Sequence, residues 1–292
     1  MIEKIWKPAT RTAQALGLED EVTGAVVPPV HVSTTFARNN DYELRTEHGY
    51  GRDQNPTFKQ PEAMIADLEG GAGALLFASG MAACTAPFQV LRQGAHVVVP
   101  ESMYYGLPKW LRGFGADRGL SVTFMPTADL DALADAVRPG KTKLVWVETP
   151  CNPIWRVTDL TAAAEIAHAC GARLAVDSTA ATPVLTRPFE HGVDIVIHAA
   201  TKYLNGHSDV MAGTVAVNKK AYEKVWWYNH VSGYRLSSDD AYLIIRGLRT
   251  LDIRLEKHQE STKKVINFLK TQKKISKILY PYKSCLLYTS PS

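Results

Sequence analysis

The chain has 292 residues, 46% of them hydrophobic, and a formal net charge of +4. That length and apolar content support a large core and more than one domain, and no run approaches the roughly 20 apolar residues of a membrane span. Four scattered cysteines (Cys84, Cys151, Cys170, Cys285) offer neither a metal-ligand pair nor a disulfide scaffold, and Met1 to Pro8 lack a signal peptide's apolar stretch, so the default expectation is a reduced, cytoplasmic protein without metal or membrane partner.

In chain order, residues 1–60 show little periodicity but several prolines and glycines, and read as an extended arm. Pro61 to Glu69 reads as a short helix with proline in its first turn, stopped by Gly70-Gly71. Ala74 to Ala78 is a short buried strand, followed by Ser79-Gly80 and a helix from Met81. Ala95 to Pro100 and Lys143 to Glu148 repeat the strand signal, and Thr161 to Cys170 is an Ala-rich helix ending at Gly171. Two further apolar runs end at Asp177 and at Lys202. Short strands alternating with helices predict right-handed βαβ crossovers and a mostly parallel α/β sheet, whose ligands bind at the carboxyl ends of the strands. Ser79, Glu148, Asp177 and Lys202 all fall at or just beyond such ends. From about Ser237 the chain reads as one long helix, with Ser237 or Ser238 as N-cap and Gly247 as a weak point or close-packing position.

Charge is uneven along the chain. Residues 218–292 carry 15 Lys+Arg against 6 Asp+Glu, whereas residues 1–217 carry 18 against 23. A basic nucleic-acid tail is one reading. The lysines are interspersed with apolar residues at helical spacing, however, which reads as the solvated face of helices, and no nucleic-acid partner is expected. The shift in composition marks a domain change or a join between two differently composed sources.

A lysine and an aspartate at the mouths of two successive buried strands suit a pyridoxal phosphate (PLP) enzyme. Lys202 would form the Schiff base and Asp177 would pair with the pyridinium nitrogen. Strand-end lysines and aspartates are common, so other segments must decide. Ser79-Gly80-Met81 joins strand to helix, where unpaired N–H groups suit a phosphate; a simple tight turn at Gly80 is the alternative. Thr201 offers a hydroxyl to the same phosphate. Tyr104 can stack on a planar ring or pack as an ordinary loop aromatic. Asn152, between two prolines, can aim its amide at a cofactor or close an Asx-turn. No G-x-G-x-x-G opens a helix, no H-E-x-x-H or H-x-x-x-H pair appears, and no G-x-S-x-G elbow is present.

Several stretches together resemble the Cys/Met-metabolism PLP-dependent enzymes, the transsulfuration family of fold-type-I PLP proteins. They are Tyr50 to Thr57, Leu68-Glu69-Gly70-Gly71, Ser79-Gly80-Met81, Glu148 to Pro153, Val176-Asp177-Ser178-Thr179 and Ala200 to Asp209. The resemblance implies a mostly parallel seven-stranded sheet flanked by helices. It also implies three regions: an arm (1–60), a PLP-binding domain (61–236), and a linking helix with the start of a smaller α+β domain (237–292). Lys202 resembles the Schiff-base lysine and proton shuttle, and Asp177 the partner of the pyridine nitrogen. Gly80, Met81 and Thr201 match phosphate contacts, Tyr104 the stacking tyrosine, and Asn152 the asparagine beside the ring hydroxyl. Tyr50 and Arg52 resemble the pair that reaches into a neighbouring subunit's phosphate site, which implies a homodimer or homotetramer with shared active sites and an amino-acid substrate.

Subgroup features point two ways. Ala199, where serine is frequent, and the Arg246 to Leu251 segment followed by Arg254 and His258 resemble cystathionine β-lyases; the Asn-Pro pairs at 55–56 and 152–153 resemble γ-synthases and γ-lyases. Ser178 stands where asparagine is usual. The expectation is a carbon–sulfur lyase acting on cystathionine, with γ-replacement (cystathionine γ-synthase or acylhomoserine sulfhydrylase) as the alternative. Family chains are longer, and a distal segment supplies the arginine for the substrate carboxylate. A catalytically incomplete PLP-binding fragment, with an artefactual tail from Ser284 to Ser292, is therefore a further expectation.

Overall fold

The structure, a computed structural model, describes residues 6–281; the tail from Ser284 onward lies outside the described residues. The short apolar runs form β1 (Gly73–Phe77), β2 (His96–Pro100), β3 (Ser121–Met125), β4 (Thr142–Glu148), β5 (Arg173–Asp177), β6 (Ile195–His198) and β7 (Gly213–Val217). They make one seven-stranded sheet in the order β1-β7-β6-β5-β4-β2-β3. Neighbours from β3 to β6 pair in parallel, whereas β7 runs antiparallel to both β6 and β1. This is the fold-type-I arrangement.

Helices α1 (Pro8–Ala13) and α2 (Gly51–Gln54) belong to the arm. Between the strands lie α3 (Pro56–Glu69), α4 (Gly80–Gln89), α5 (Gly106–Trp110), α6 (Leu130–Ala136), α7 (Leu160–Ala169) and α8 (Thr182–Leu185). Helices α9 (Lys219–Ser232), α10 (Ser238–Leu248) and α11 (Leu251–Lys270) follow β7. Side chains alternate across each strand, so the sheet feeds two cores. Val145 and Val147 of β4 join Met64, Leu68, Ala163, Ile244 and Leu248 on one face. Leu144 and Trp146 join Phe88, Leu107, Leu111 and Val225 on the other. Burial on both faces is why β4 and β5 read as continuous apolar runs without alternation.

Two elements differ from expectation. Helix α3 starts at Pro56, not Pro61, because the Asn55 side chain accepts the Thr57 N–H at 2.9 Å and caps it. Pro61 then lies inside the helix and forfeits one backbone bond, offset by the buried face of Phe58, Met64, Ile65 and Leu68. The long C-terminal helix is two helices, broken at Arg249-Thr250. Ser237 caps α10 as expected, accepting the Asp240 N–H at 3.0 Å. Gly247 is the close-packing position, since a Cβ there would come within 2.3 Å of the Asn205 carbonyl oxygen.

Candidate active site

Strands β4 and β5 end side by side, with Glu148 opposite Asp177. Both carboxyls are buried. Burial, reinforced by the charge of Asp177, pushes the Glu148 carboxyl up to about 7, and burial raises Asp177 as well. Asp177 Oδ1 accepts the Thr179 N–H (3.0 Å) and hydroxyl (2.5 Å). Thr179 Oγ1 in turn accepts the Ala199 N–H at 2.8 Å, which ties the aspartate to the start of the lysine loop. Asp177 Oδ2 meets the Cys84 thiol at 3.8 Å. Among the described residues no lysine or arginine forms an ion pair with Asp177.

Glu148 carries a function that a reading of strand ends leaves unassigned. Its Oε2 accepts the Tyr104 backbone N–H at 2.7 Å and its Oε1 accepts that of Asn152 at 2.8 Å. One carboxylate therefore positions the two loops that bear the expected ring-stacking and ring-hydroxyl residues. Acidity at a strand mouth, two residues before proline, is the only signal the sequence carries for it. The Tyr104 ring is half-buried and lies 4.8 Å from that of Tyr105; the hydrogen bond to Tyr105, then burial, raises its phenol. The Asn152 side chain is exposed.

The turn from β1 into α4 matches an anion cradle. Ser79 Oγ caps the helix through the Ala82 N–H at 3.1 Å, and among the described residues no acceptor meets the N–H groups of Gly80 and Met81. Packing beneath the turn is close. A Cβ at Gly80 would lie 2.8 Å from the Ala199 Cβ, and one at Gly213 only 2.2 Å from the Ser79 carbonyl oxygen. Thr201 Oγ1 accepts the Ala212 N–H at 2.9 Å and donates to the Ala212 carbonyl at 3.1 Å, so its hydrogen points along the loop.

Lys202 sits four residues past the end of β6, in the loop to β7, and not on the strand itself. The loop is wound tightly: Lys202 N–H donates to Ala199 O (2.9 Å), Asn205 N–H to Ala200 O (2.9 Å) and Gly206 N–H to Lys202 O (2.8 Å). Asn205 is buried and donates to Asp209 Oδ1 at 2.8 Å, and His207 Nδ1 supports the Asn205 carbonyl at 2.7 Å. The Lys202 side chain is exposed, and among the described residues its Nζ makes no hydrogen bond or ion pair. Below the loop, buried His198 pairs with buried Glu69 at 2.5 Å, joining the end of β6 to the end of α3.

Tyr50 and Arg52 stand apart from this assembly. Tyr50 is 46% exposed, and the Arg52 guanidinium lies 5.2 Å over its ring. Arg235 holds the segment by donating to the Arg52 carbonyl at 3.0 Å and to Glu62 at 2.7 Å. Among the described residues no hydrogen bond or ring contact joins Tyr50 or Arg52 to Asp177, the Ser79 turn or the lysine loop.

These groups fit pyridoxal phosphate. A protonated ring nitrogen would meet an anion at Asp177 that is already desolvated and oriented, a phosphate would meet two free N–H groups at a helix N-terminus, and Lys202 offers an unengaged amine. The sequence profile of the Cys/Met metabolism PLP-dependent enzymes matches residues 9–287. Cystathionine gamma-lyase of Dictyostelium discoideum is 38% identical over 277 residues, covering 94% of this chain and 71% of that protein. Cystathionine beta-lyase of Coxiella burnetii is 38% identical over 275 residues, covering 93% and 70%. The crystal structure of cystathionine gamma synthase from Xanthomonas oryzae pv. oryzae, in complex with aminoacrylate and cysteine, superposes with a TM-score of 0.90 at 34% identity, covering 94% of this chain and 71% of that one. The chain belongs to the Cys/Met metabolism PLP-dependent enzymes, a family of transsulfuration chemistry whose cofactor is pyridoxal 5′-phosphate.

Proposed function

We propose that the chain is a carbon–sulfur lyase acting on cystathionine, with Lys202 as the residue that holds the cofactor and moves the substrate proton. The observation that carries the site assignment is the buried Asp177 carboxylate, which among the described residues has no lysine or arginine partner and is tied through Thr179 to the lysine loop. Bound PLP supplies an electron sink to the substrate α-carbon. Asp177 keeps the ring nitrogen protonated, and Lys202 Nζ takes the α-proton as a general base. The N–H groups of Gly80 and Met81 would hold the phosphate, joined by the Thr201 hydroxyl once its hydrogen leaves the Ala212 carbonyl. Tyr104 would stack on the ring and Asn152 would serve its hydroxyl, on loops that Glu148 sets. Tyr50 and Arg52 serve the site of a neighbouring subunit, which makes a dimer the smallest complete unit. Residues 61–236 form the cofactor domain, and residues 237–292 lead into a second domain.

Ala199 and the Arg246–His258 segment support β-lyase chemistry. The Asn-Pro pairs at 55–56 and 152–153 support the second reading, γ-replacement on an acylhomoserine. Purified protein incubated with PLP is expected to turn yellow, and Lys202→Ala to stay colourless. Pyruvate and ammonia released from cystathionine identify the β-lyase, 2-oxobutyrate a γ-lyase, and turnover of acylhomoserine with cysteine alone the synthase. Colour with no product from any of these substrates defines a cofactor-binding chain without catalysis.

A further inference from the structure

The loop that carries Lys202 is held from beneath by a side chain distant in sequence. Arg254, in the first turn of α11, donates from Nη1 to the Tyr203 carbonyl at 2.8 Å and from Nη2 to the Gly247 carbonyl at 2.8 Å and the Leu204 carbonyl at 3.5 Å. Its Nε donates to the Thr250 hydroxyl at 3.1 Å. The guanidinium is half-buried, and among the described residues no carboxylate pairs with it. Its fork is filled by backbone carbonyls of the lysine loop and of α10, which the planar geometry of arginine suits and a lysine ammonium does not.

Two glycines make room for this contact. Gly206 has φ +73°, and a Cβ there would fall on the guanidinium, 2.0 Å from Nη1. Gly247 lets α10 approach until a Cβ would lie 2.7 Å from the Leu204 carbonyl oxygen. The Arg249-Thr250 break is what turns the start of α11, and with it Arg254, back under the loop. Tyr203 packs edge-on against His258, one turn further along α11, with ring centroids 5.8 Å apart.

We infer that Arg254 is a positioning residue for Lys202: it fixes the carbonyls of the two residues after the lysine and couples the lysine loop to the helices that leave the cofactor domain. The inference rests on the reading of Lys202 as the cofactor lysine, but its first measurement uses cofactor-free protein and so stands apart from that reading. Hydrogen exchange across residues 199–212 follows the Asn205 and Gly206 amides, whose bonds close the lysine turn. In full-length Arg254→Lys, exchange at these amides is expected to be about tenfold faster, with the β4 and β5 amides unchanged. Arg254→Met should exceed it. Arg249→Met is the control, because Arg249 donates only to the Val26 carbonyl on the arm. In loaded protein the Arg254 variants should bind PLP about tenfold more weakly, and the pH midpoint of the bound cofactor's visible absorbance should move. Should Arg254→Met fail to fold, Arg254→Lys decides. Unchanged protection at Asn205 and Gly206 would overturn the inference. So would protection lost equally across the sheet, which assigns Arg254 to general stability. A cofactor that never binds the unaltered chain would sink the Lys202 assignment while leaving the exchange result standing.

Discussion

The floor of the site and the arm are built in opposite ways. At the strand mouths, Asp177, Glu148, Thr179 and the Ser79 turn are buried or half-buried, each engaged in hydrogen bonds of its own, and packed so closely that glycine is required at 213. The arm instead displays Tyr50 and Arg52 to solvent, held through backbone atoms by Arg235 and by the neighbouring Thr34-Thr35 segment. A site half assembled and half on display fits the proposal that each site is shared between two subunits. Under the proposed sharing of sites, the floor is complete within one chain, whereas Tyr50 and Arg52 are left available to a neighbour.

The floor's desolvated carboxylates give the largest expected effect. With its pKa raised from 4.5 to about 7, Glu148 in the folded cofactor-free chain keeps a proton that the unfolded chain releases. Stability therefore falls as pH rises across that window, by on the order of 3 kcal/mol, and Asp177 acts in the same direction. Urea unfolding midpoints from pH 4.5 to 7.5 should show the decline and lose much of it in Glu148→Gln; an equal slope in both proteins would mean the floor is more hydrated than its burial indicates. Next is Gly213→Ala, whose Cβ would press on the Ser79 carbonyl. It should lower stability by about 1–3 kcal/mol and weaken phosphate binding, as read by thermal melts and PLP titration.

The arm should respond differently. Arg52→Met is expected to leave unfolding within about 0.5 kcal/mol of the unaltered chain while PLP affinity drops. Mixing Arg52→Met with Lys202→Ala subunits should restore tight binding to a fraction of sites, because a mixed pair contains one site with both residues. No recovery on mixing would place the arm's contribution within its own chain and end the contrast between the two regions.

Much of the floor was legible in the sequence because parallel strands buried on both faces print as unbroken apolar runs that stop at the working end. Asp177, Glu148 and the Ser79 turn could be placed on that ground alone. Edge and return strands print less clearly. Ser121–Met125 is half-exposed, and Gly213–Val217 follows a long loop whose Asn205-Gly206 turn lies seven residues before the strand. Pro61 read as the first-turn proline of its helix, although that place belongs to Pro56 and Pro61 is tolerated inside α3. Roles exercised through backbone atoms left no trace. Glu148 binds two amides and Arg254 three carbonyls, and neither pairing follows from residue type or spacing.

The single reversed strand has a consequence for how Lys202 is presented. Had β7 run parallel to β6, the chain would have left the carboxyl end of the sheet for a crossover of a dozen residues or more. Because β7 is antiparallel, residues 199–212 leave and re-enter the sheet at the same end, anchored on both sides by adjacent hydrogen-bonded strands. A tether fixed at two neighbouring points samples few shapes. Most of the disorder that a flexible lysine-bearing segment would forfeit on capturing its cofactor has already been removed by folding.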